Sequence, residues 1–296
     1  MTLWQGIIDT KVLFIMKFTH LKTILEKHQL WAKKSLGQHF LSDESVCQRM
    51  VQHLSLKGET VIEVGPGPGS LTDILLKERP ALLFAIEKDQ RFINILNEFE
   101  IPADTIFNIL QADALKVSIS QILKDHQVNK PCRIVAHLPY NIGTELLIRW
   151  IDDINNIESI TVMLQREVVD RMRAEVGTKD YGRLAIVMQS CFMVEEVFQI
   201  PPEAFIPPPK VWSSVAYLKP LEQLPDPKVI KTLGKLTNSA FCQRRKMLRA
   251  SLGKSLPLTL WQKICDTLNI DETHRPEQLD AKTFLAMAEI CNQEQI

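Results

Sequence analysis

The sequence predicts an α/β fold: a doubly wound, mostly parallel sheet followed by a smaller all-helical C-terminal domain. Three observations predict it. In the N-terminal part, short β-branched apolar runs alternate with amphipathic runs of helical spacing, as βαβ units require. The first strand-like run breaks into the turn Gly65-Pro66-Gly67-Pro68-Gly69 and resumes as a helix at Ser70. Beyond Pro227 only helical spacing recurs, as Ile230, Leu233 and Leu236, then Leu260, Ile264 and Leu268, then Phe284, Met287 and Ile290.

Taken in order, residues 1–27 stand apart as an N-terminal extension. Within it, residues 1–15 read either as a misassigned start, with Met16 the natural one, or as a disordered extension. A loop through Gln38-His39-Phe40-Leu41 leads to a helix beginning near Asp43. Thr60 to Val64 is a buried strand that carries one acid, Glu63. The alternating glycines Gly65, Gly67 and Gly69 then let the backbone turn tightly and approach a ligand with no Cβ in the way. The next helix has Leu71, Ile74, Leu75 and Leu76 on its apolar side. A second strand, Leu82 to Ile86, ends in Glu87, and a third, Ile106 to Leu110, leads into Gln111-Ala112-Asp113-Ala114. A fourth, Arg133 to Ala136, ends in His137-Leu138-Pro139-Tyr140-Asn141. Pro201-Pro202 and Pro207-Pro208-Pro209 interrupt regular structure, and Val211 to Leu218 reads as a final strand. The polar, proline-punctuated stretch from Pro220 to Pro227 is a linker. A larger domain is thus expected over residues 28–219 and a helical one over 220–296.

The three strand ends specify a ligand. A dinucleotide site needs G-x-G-x-x-G, but only Pro68 separates Gly67 from Gly69, which argues against an NAD oxidoreductase. Glu63, two residues ahead of the first glycine, would repel a pyrophosphate and suits an amine-bearing ligand. Glu87 is placed to accept from ribose hydroxyls, and Asp113, with Ala114 beside it, to receive an adenine amine. An amine, a ribose and an adenine together fit S-adenosylmethionine.

At the fourth strand a resemblance becomes specific. The chain resembles the small-subunit (16S) ribosomal RNA adenine N6-dimethyltransferases, the kasugamycin-sensitivity type, from about Leu30 to Met287. The likeness covers Lys33-Lys34-Ser35-Leu36-Gly37-Gln38-His39-Phe40-Leu41, the glycine turn and Leu138-Pro139-Tyr140-Asn141-Ile142. It continues through Leu164-Gln165-Arg166-Glu167-Val168-Val169 and Tyr181-Gly182-Arg183-Leu184. Ala204-Phe205-Ile206-Pro207-Pro208-Pro209-Lys210-Val211 and Phe241-Cys242-Gln243-Arg244-Arg245-Lys246 complete it. The resemblance implies a Rossmann-like class I methyltransferase domain and a helical RNA-binding domain. It also implies dimethylation of two adjacent adenosines in a hairpin near the 3′ end of 16S rRNA, in the 30S particle, during small-subunit assembly. Gln38, His39 and Leu41 are then expected across the cofactor's methionine part.

One position departs from the family pattern. The first residue of the Asn-Leu-Pro-Tyr motif is His137 here. In the family, that Asn oxygen and a neighbouring backbone carbonyl hold the target amine, whose lone pair is otherwise delocalised into the ring. Neutral imidazole offers one acceptor nitrogen and imidazolium none. At an unperturbed pKa of about 6.5, activity is therefore expected to fall at low pH. His137 makes a catalytically impaired assembly factor one alternative reading. The plain alternative for the residue itself is a packed side chain. Leu138 and Pro139 present backbone carbonyls, because proline cannot donate. Tyr140 offers an aromatic face to a flipped adenine, and Phe205 is either its second face or a core aromatic.

The 35 basic and 35 acidic residues cancel. The balance is uneven along the chain, with 22 basic and 26 acidic residues over 1–209 but 13 and 9 over 210–296. The excess centres on Arg244, Arg245, Lys246 and Arg249, read as a helical segment with Arg245 and Arg249 on one face. Such a cluster suits RNA phosphates, and a solvated helix face is the plain alternative. A large-subunit methyltransferase of the macrolide-resistance type shares the chemistry, but its C-terminal domain lacks this likeness. The six cysteines form no C-x-x-C pair or metal cluster, so reduced thiols, a cytoplasmic setting and no metal are expected. No apolar run approaches a membrane span of roughly 18 residues, and a monomer is expected.

Overall fold

The computed structural model describes residues 38–294, together with 23, 25–28 and 30–31. The expectations for residues 1–22 and for Lys33 to Gly37 lie outside the described residues. In chain order the elements are β1 (Phe40–Leu41), α1 (Glu44–Val51), β2 (Thr60–Val64), α2 (Ser70–Lys77), β3 (Leu82–Glu87) and α3 (Gln90–Leu96). Then come β4 (Ile106–Gln111), α4 (Ile119–Asp125), β5 (Cys132–His137), α5 (Gly143–Trp150), β6 (Ile157–Gln165), α6 (Arg166–Met172) and α7 (Arg183–Gln189). The strands β7 (Phe192–Ile200), β8 (Phe205–Ile206) and β9 (Ser213–Pro220) follow. The chain closes with α8 (Pro227–Phe241), α9 (Leu248–Ser255), α10 (Leu258–Leu268) and α11 (Ala281–Gln293).

Seven strands form one sheet in the order β4-β3-β2-β5-β6-β9-β7. The pairs β3/β4, β2/β3, β2/β5 and β5/β6 are parallel, as the alternating pattern predicts. The chain moves outward from β2 through β3 to β4, then returns to place β5 on the other side. That reversal opens a crevice at the carboxyl ends of β2 and β5, the usual ligand position in such sheets. β2 is buried at every residue, which explains its unbroken apolar reading around one acid. Asp43 caps α1, its carboxylate accepting from the Ser45 N–H at 2.9 Å.

Four sequence expectations need correction. Gln38 to Leu41 is not simply a loop. Phe40 and Leu41 pair antiparallel with Ile206 and Phe205, because both dipeptides are apolar and Phe40, Leu41 and Phe205 bury against the core. The last strand begins at Ser213 rather than Val211, since Val211 and Trp212 are 41% and 47% exposed. Arg244, Arg245 and Lys246 do not lie on a helix: α8 ends at Phe241, a turn follows, and α9 starts at Leu248. Arg245 and Arg249 therefore share no helical face. The break is set by Met247, extended at φ −66° and ψ 154°, which lets Leu248 enter the core.

The fourth concerns domains. Contacts divide the chain into two compact units, one running through Arg166 and including Glu196–Tyr217, the other Glu167–Glu195 with Leu218–Ile296. The helical unit thus takes more than the stretch after Pro220. Tyr181, Ala185 and Ile186 are buried in one cluster with Val229, Leu233 and Leu236, and the Tyr181 hydroxyl donates to the Leu279 carbonyl at 2.9 Å. The linker marked a chain break but could not show which earlier helices complete the second core. No helix among the described residues is long and apolar enough to cross a membrane.

Candidate active site

The cavity at the sheet crevice is built by the glycine turn, the ends of β2, β3 and β5, and the Gln38–Leu41 segment. Gly65, Gly67 and Gly69 have φ of 72°, 55° and 90°, a backbone that other residues rarely adopt. At Gly69 a Cβ would also sit 2.4 Å from the Phe99 ring, so the turn into α2 is closed to side chains.

Glu63 is buried beside the turn at 1% exposure. Its Oε2 accepts from the Thr72 hydroxyl at 2.7 Å, and its Oε1 has no hydrogen-bond partner among the described residues. Burial pushes the carboxyl up to about 8, opposed by the Thr72 bond and aided by Glu87. A buried acid with one orphaned oxygen facing a cavity is poised for a cationic partner, since leaving such a group unpaired is costly. Glu87, also buried, accepts from Gly67 N–H at 3.1 Å and Asp89 N–H at 2.7 Å. Burial raises its pKa against those bonds. Glu87 lines the same cavity, where its carboxylate can also accept from a diol. Asp113 caps a short 3-10 turn through Leu115 N–H at 3.1 Å and holds Lys88 Nζ at 2.8 Å, which lowers its pKa. Asp113 and Ala114 line the same cavity, as do Gln38, His39 and Leu41. The residues present fit S-adenosylmethionine: an acid for its ammonium, an acid for its ribose, and a glycine floor.

At the adjacent strand end stands the second constellation. Val64 registers with Ala136, so Gly65 and His137 are neighbours, and a Cβ on Gly65 would lie 3.6 Å from the His137 carbonyl. The His137 ring is partly buried, 5.5 Å from Phe205 and 6.5 Å from Tyr140. Burial, with His39 nearby, pushes its pKa down to about 4. The expected low-pH loss around 6.5 is thereby corrected: His137 is a neutral imidazole throughout the physiological range. Pro139's carbonyl accepts from Ile142 and Gly143 N–H, both at 3.1 Å, and so is committed to the start of α5. Leu138 is fully buried. Tyr140 is fixed on two sides, its hydroxyl 2.5 Å from Ser213 Oγ and its ring stacked on His39 at 5.5 Å. His39 in turn bonds the Pro207 carbonyl at 2.8 Å. Phe205 is only 2% exposed within the core cluster, so it has no open second face for an adenine. It is a core aromatic that backs His137.

Sequence reasoning missed Thr72, Lys88 and Ser213. Thr72 meets Glu63 only because the turn folds α2 back, and Ser213 lies 73 residues from Tyr140 with no local signal. Among the cations, Arg245, Lys246 and Arg249 are exposed, whereas Arg244 donates to the Lys179 carbonyl at 2.7 Å and the Thr178 carbonyl at 3.1 Å. Arg244 therefore anchors a loop of its own unit. No group of three or more His, Cys, Asp or Glu residues that could hold a metal occurs among the described residues.

Comparison with known proteins agrees with this geometry. A family model described as ribosomal RNA adenine dimethylase matches residues 29–293. A protein from Azorhizobium caulinodans named ribosomal RNA small subunit methyltransferase A is 42% identical over 272 residues, covering 90% of this chain and 91% of that one. Its namesake from Phenylobacterium zucineum is 40% identical over 270 residues, covering 91% of each. The fold matches a dimethyladenosine transferase from Plasmodium falciparum with a TM-score of 0.70 at 23% identity, over 87% of this chain and 99% of that one. The 23S rRNA methyltransferase ErmE shares the fold with a TM-score of 0.62, also at 23% identity, over 86% and 100%. The chain belongs to the ribosomal RNA adenine dimethylase family, the S-adenosylmethionine-dependent methyltransferases of class I fold.

Proposed function

We propose that this protein dimethylates two adjacent adenosines in a hairpin near the 3′ end of 16S rRNA, acting as a monomer on the 30S particle during small-subunit assembly. The observation that carries the reading is the abutment of the cavity and the His137-Leu138-Pro139-Tyr140 segment, at neighbouring strand ends. Glu63 and Glu87 hold the cofactor's ammonium and ribose, with Asp113 and Ala114 at its adenine and Gln38, His39 and Leu41 along its methionine part. When bound, S-adenosylmethionine supplies an electrophilic methyl group. His137 accepts one N–H of the adenine amine through its free ring nitrogen. The Leu138 carbonyl accepts the other, since that of Pro139 is committed to α5. Tyr140, held by Ser213 and His39, presents its remaining surface to the flipped base. Positioning the amine lone pair supplies most of the rate in such a displacement. Arg245, Lys246 and Arg249 contact RNA phosphates.

Immature 30S particles treated with the protein and S-adenosylmethionine should gain dimethyladenosine, read by mass spectrometry and primer extension. His137 favours a second reading, an assembly factor with little catalysis. Tight particle binding without methylation would select it.

A further inference from the structure

We propose that Trp212 is a stacking platform for the nucleotide that flanks the target adenosine, with Lys210 meeting the adjoining phosphate. The proposal rests on the RNA-substrate reading above. Trp212 is exposed at 47% and Val211 beside it at 41%, an adjoining pair of exposed apolar side chains. Lys210 and Arg166, both exposed, put cations on the same rim. An aromatic next to cations is the pairing that holds single-stranded nucleic acid, through base stacking and phosphate contact.

The rim's position follows from register. β6 runs parallel to β5, with Met163 opposite His137, so the end of β6 lies at the same carboxyl edge as the site. Just past that end, Arg166 N–H donates to the Trp212 carbonyl at 2.9 Å. Trp212 is therefore two strand spacings across from His137 and about three residues further along, roughly 14 Å in all, a span that the indole and a nucleotide next to the flipped base can bridge between them. The segment carrying it is held on both sides of the target position. His39 bonds the Pro207 carbonyl, and Ser213, the next residue after Trp212, bonds the Tyr140 hydroxyl. The exposed indole thus sits on a fixed backbone, and ordering it on binding costs little entropy.

The test compares the wild type with Trp212→Ala and Trp212→Phe. Affinity for an adenosine-tipped RNA hairpin is read by fluorescence anisotropy, methylation of 30S particles by single turnover, and cofactor affinity by calorimetry as a check on folding. Trp212→Ala should weaken hairpin binding by roughly 5- to 150-fold, the loss of one base–aromatic stack. Trp212→Phe should keep most of the affinity, and cofactor binding should not change. The maximal single-turnover rate should stay near wild type while the particle concentration for half-maximal rate rises. Wild-type hairpin affinity in Trp212→Ala, or equal losses in the Ala and Phe variants, overturns the platform and leaves the methyltransferase reading intact. Trp212-dependent hairpin binding without particle methylation supports the platform while the methylation reading fails. A Trp212→Ala change confined to self-association, with RNA binding untouched, assigns the rim to protein contact and also overturns it.

Discussion

The acids of the cavity and the cations of the helical unit use charge in opposite ways. Glu63 and Glu87 are buried, Glu63 keeps one oxygen without a hydrogen-bond partner among the described residues, and burial raises both pKa values. Arg245, Lys246 and Arg249 are exposed to solvent. A buried acid held short of a partner is a feature that folding alone would remove, so it implies a specific ligand. An exposed cation costs nothing to keep and implies only a class of partner. Deletions should therefore have large, ligand-specific effects in the cavity and small, salt-dependent ones on the basic turn.

Glu63→Gln should give the largest effect and tests that contrast directly. Removing the carboxylate proposed to face the cofactor's ammonium should weaken S-adenosylmethionine binding by about 2–5 kcal/mol, the usual cost of truncating a buried charged pair. Stability should move the other way. The folded pKa is about 8 against an ordinary 4.5. Below pH 4.5 both states keep the proton and Glu63 is neutral in its effect. As pH rises from there toward 8 the unfolded chain ionises first, so wild-type stability falls. Glu63→Gln should melt a few degrees higher than wild type at pH 8 and equally at pH 4. An unchanged melting difference between the two pH values would mean that Glu63 carries no burial penalty.

His137→Asn comes next, because a misplaced acceptor at the reacting amine costs roughly 2–4 kcal/mol. Single-turnover methylation at pH 7 should rise by at least about tenfold, with cofactor and RNA affinity unchanged. With a pKa of about 4, imidazole stays neutral from pH 6 to 8, so the wild-type rate should not bend near 6.5 through this residue. It should fall only as pH approaches 4, where the ring becomes a donor alone. Equal rates for the two proteins at pH 7 would show that imidazole is an adequate acceptor here.

A smaller loss belongs to Glu87→Ala, about 1–3 kcal/mol in cofactor affinity. Part of it should come from the protein itself, since Glu87 also receives the Gly67 and Asp89 N–H groups. Hydrogen exchange at Gly67 and Asp89 should therefore speed up in the free variant. Protection identical to wild type would assign the whole loss to the ribose contact.

What was legible in the sequence is whatever local chemistry fixes. The glycine turn could be read because a chain with φ of 55° to 90° at alternate residues needs glycine there. The acids at three strand ends could be read because parallel strands end on one edge. His137 could be placed by its motif, but its pKa could not, because burial by distant residues sets it. Thr72 and Ser213 were invisible for the same reason: their partners are brought by the fold. The basic segment misled for a different reason. Arg245 and Arg249 have helical spacing, but Met247 takes an extended conformation that the pattern of charges does not encode. Phe205 was left undecided because an aromatic beside a motif looks the same whether it faces a ligand or the core.

The smallest effects are expected from that basic turn, where residues adjacent in sequence should separate by role. Arg245, Lys246 and Arg249 are exposed, so replacing all three with Ala should weaken 30S binding and flatten its salt dependence. The slope of log K against log salt should drop by up to about 0.7–0.9 per lost phosphate contact. Cofactor affinity and melting temperature should stay within error, as surface changes usually do. Arg244→Ala should behave otherwise. Its guanidinium satisfies the Thr178 and Lys179 carbonyls, so its loss should lower stability by about 1 kcal/mol and leave the salt slope alone. Both variants would be read by the same pair of measurements, a thermal melt and a salt titration of 30S binding. If Arg244→Ala changes the slope and the triple variant does not, the roles are reversed and RNA contact belongs to the arginine that anchors the loop.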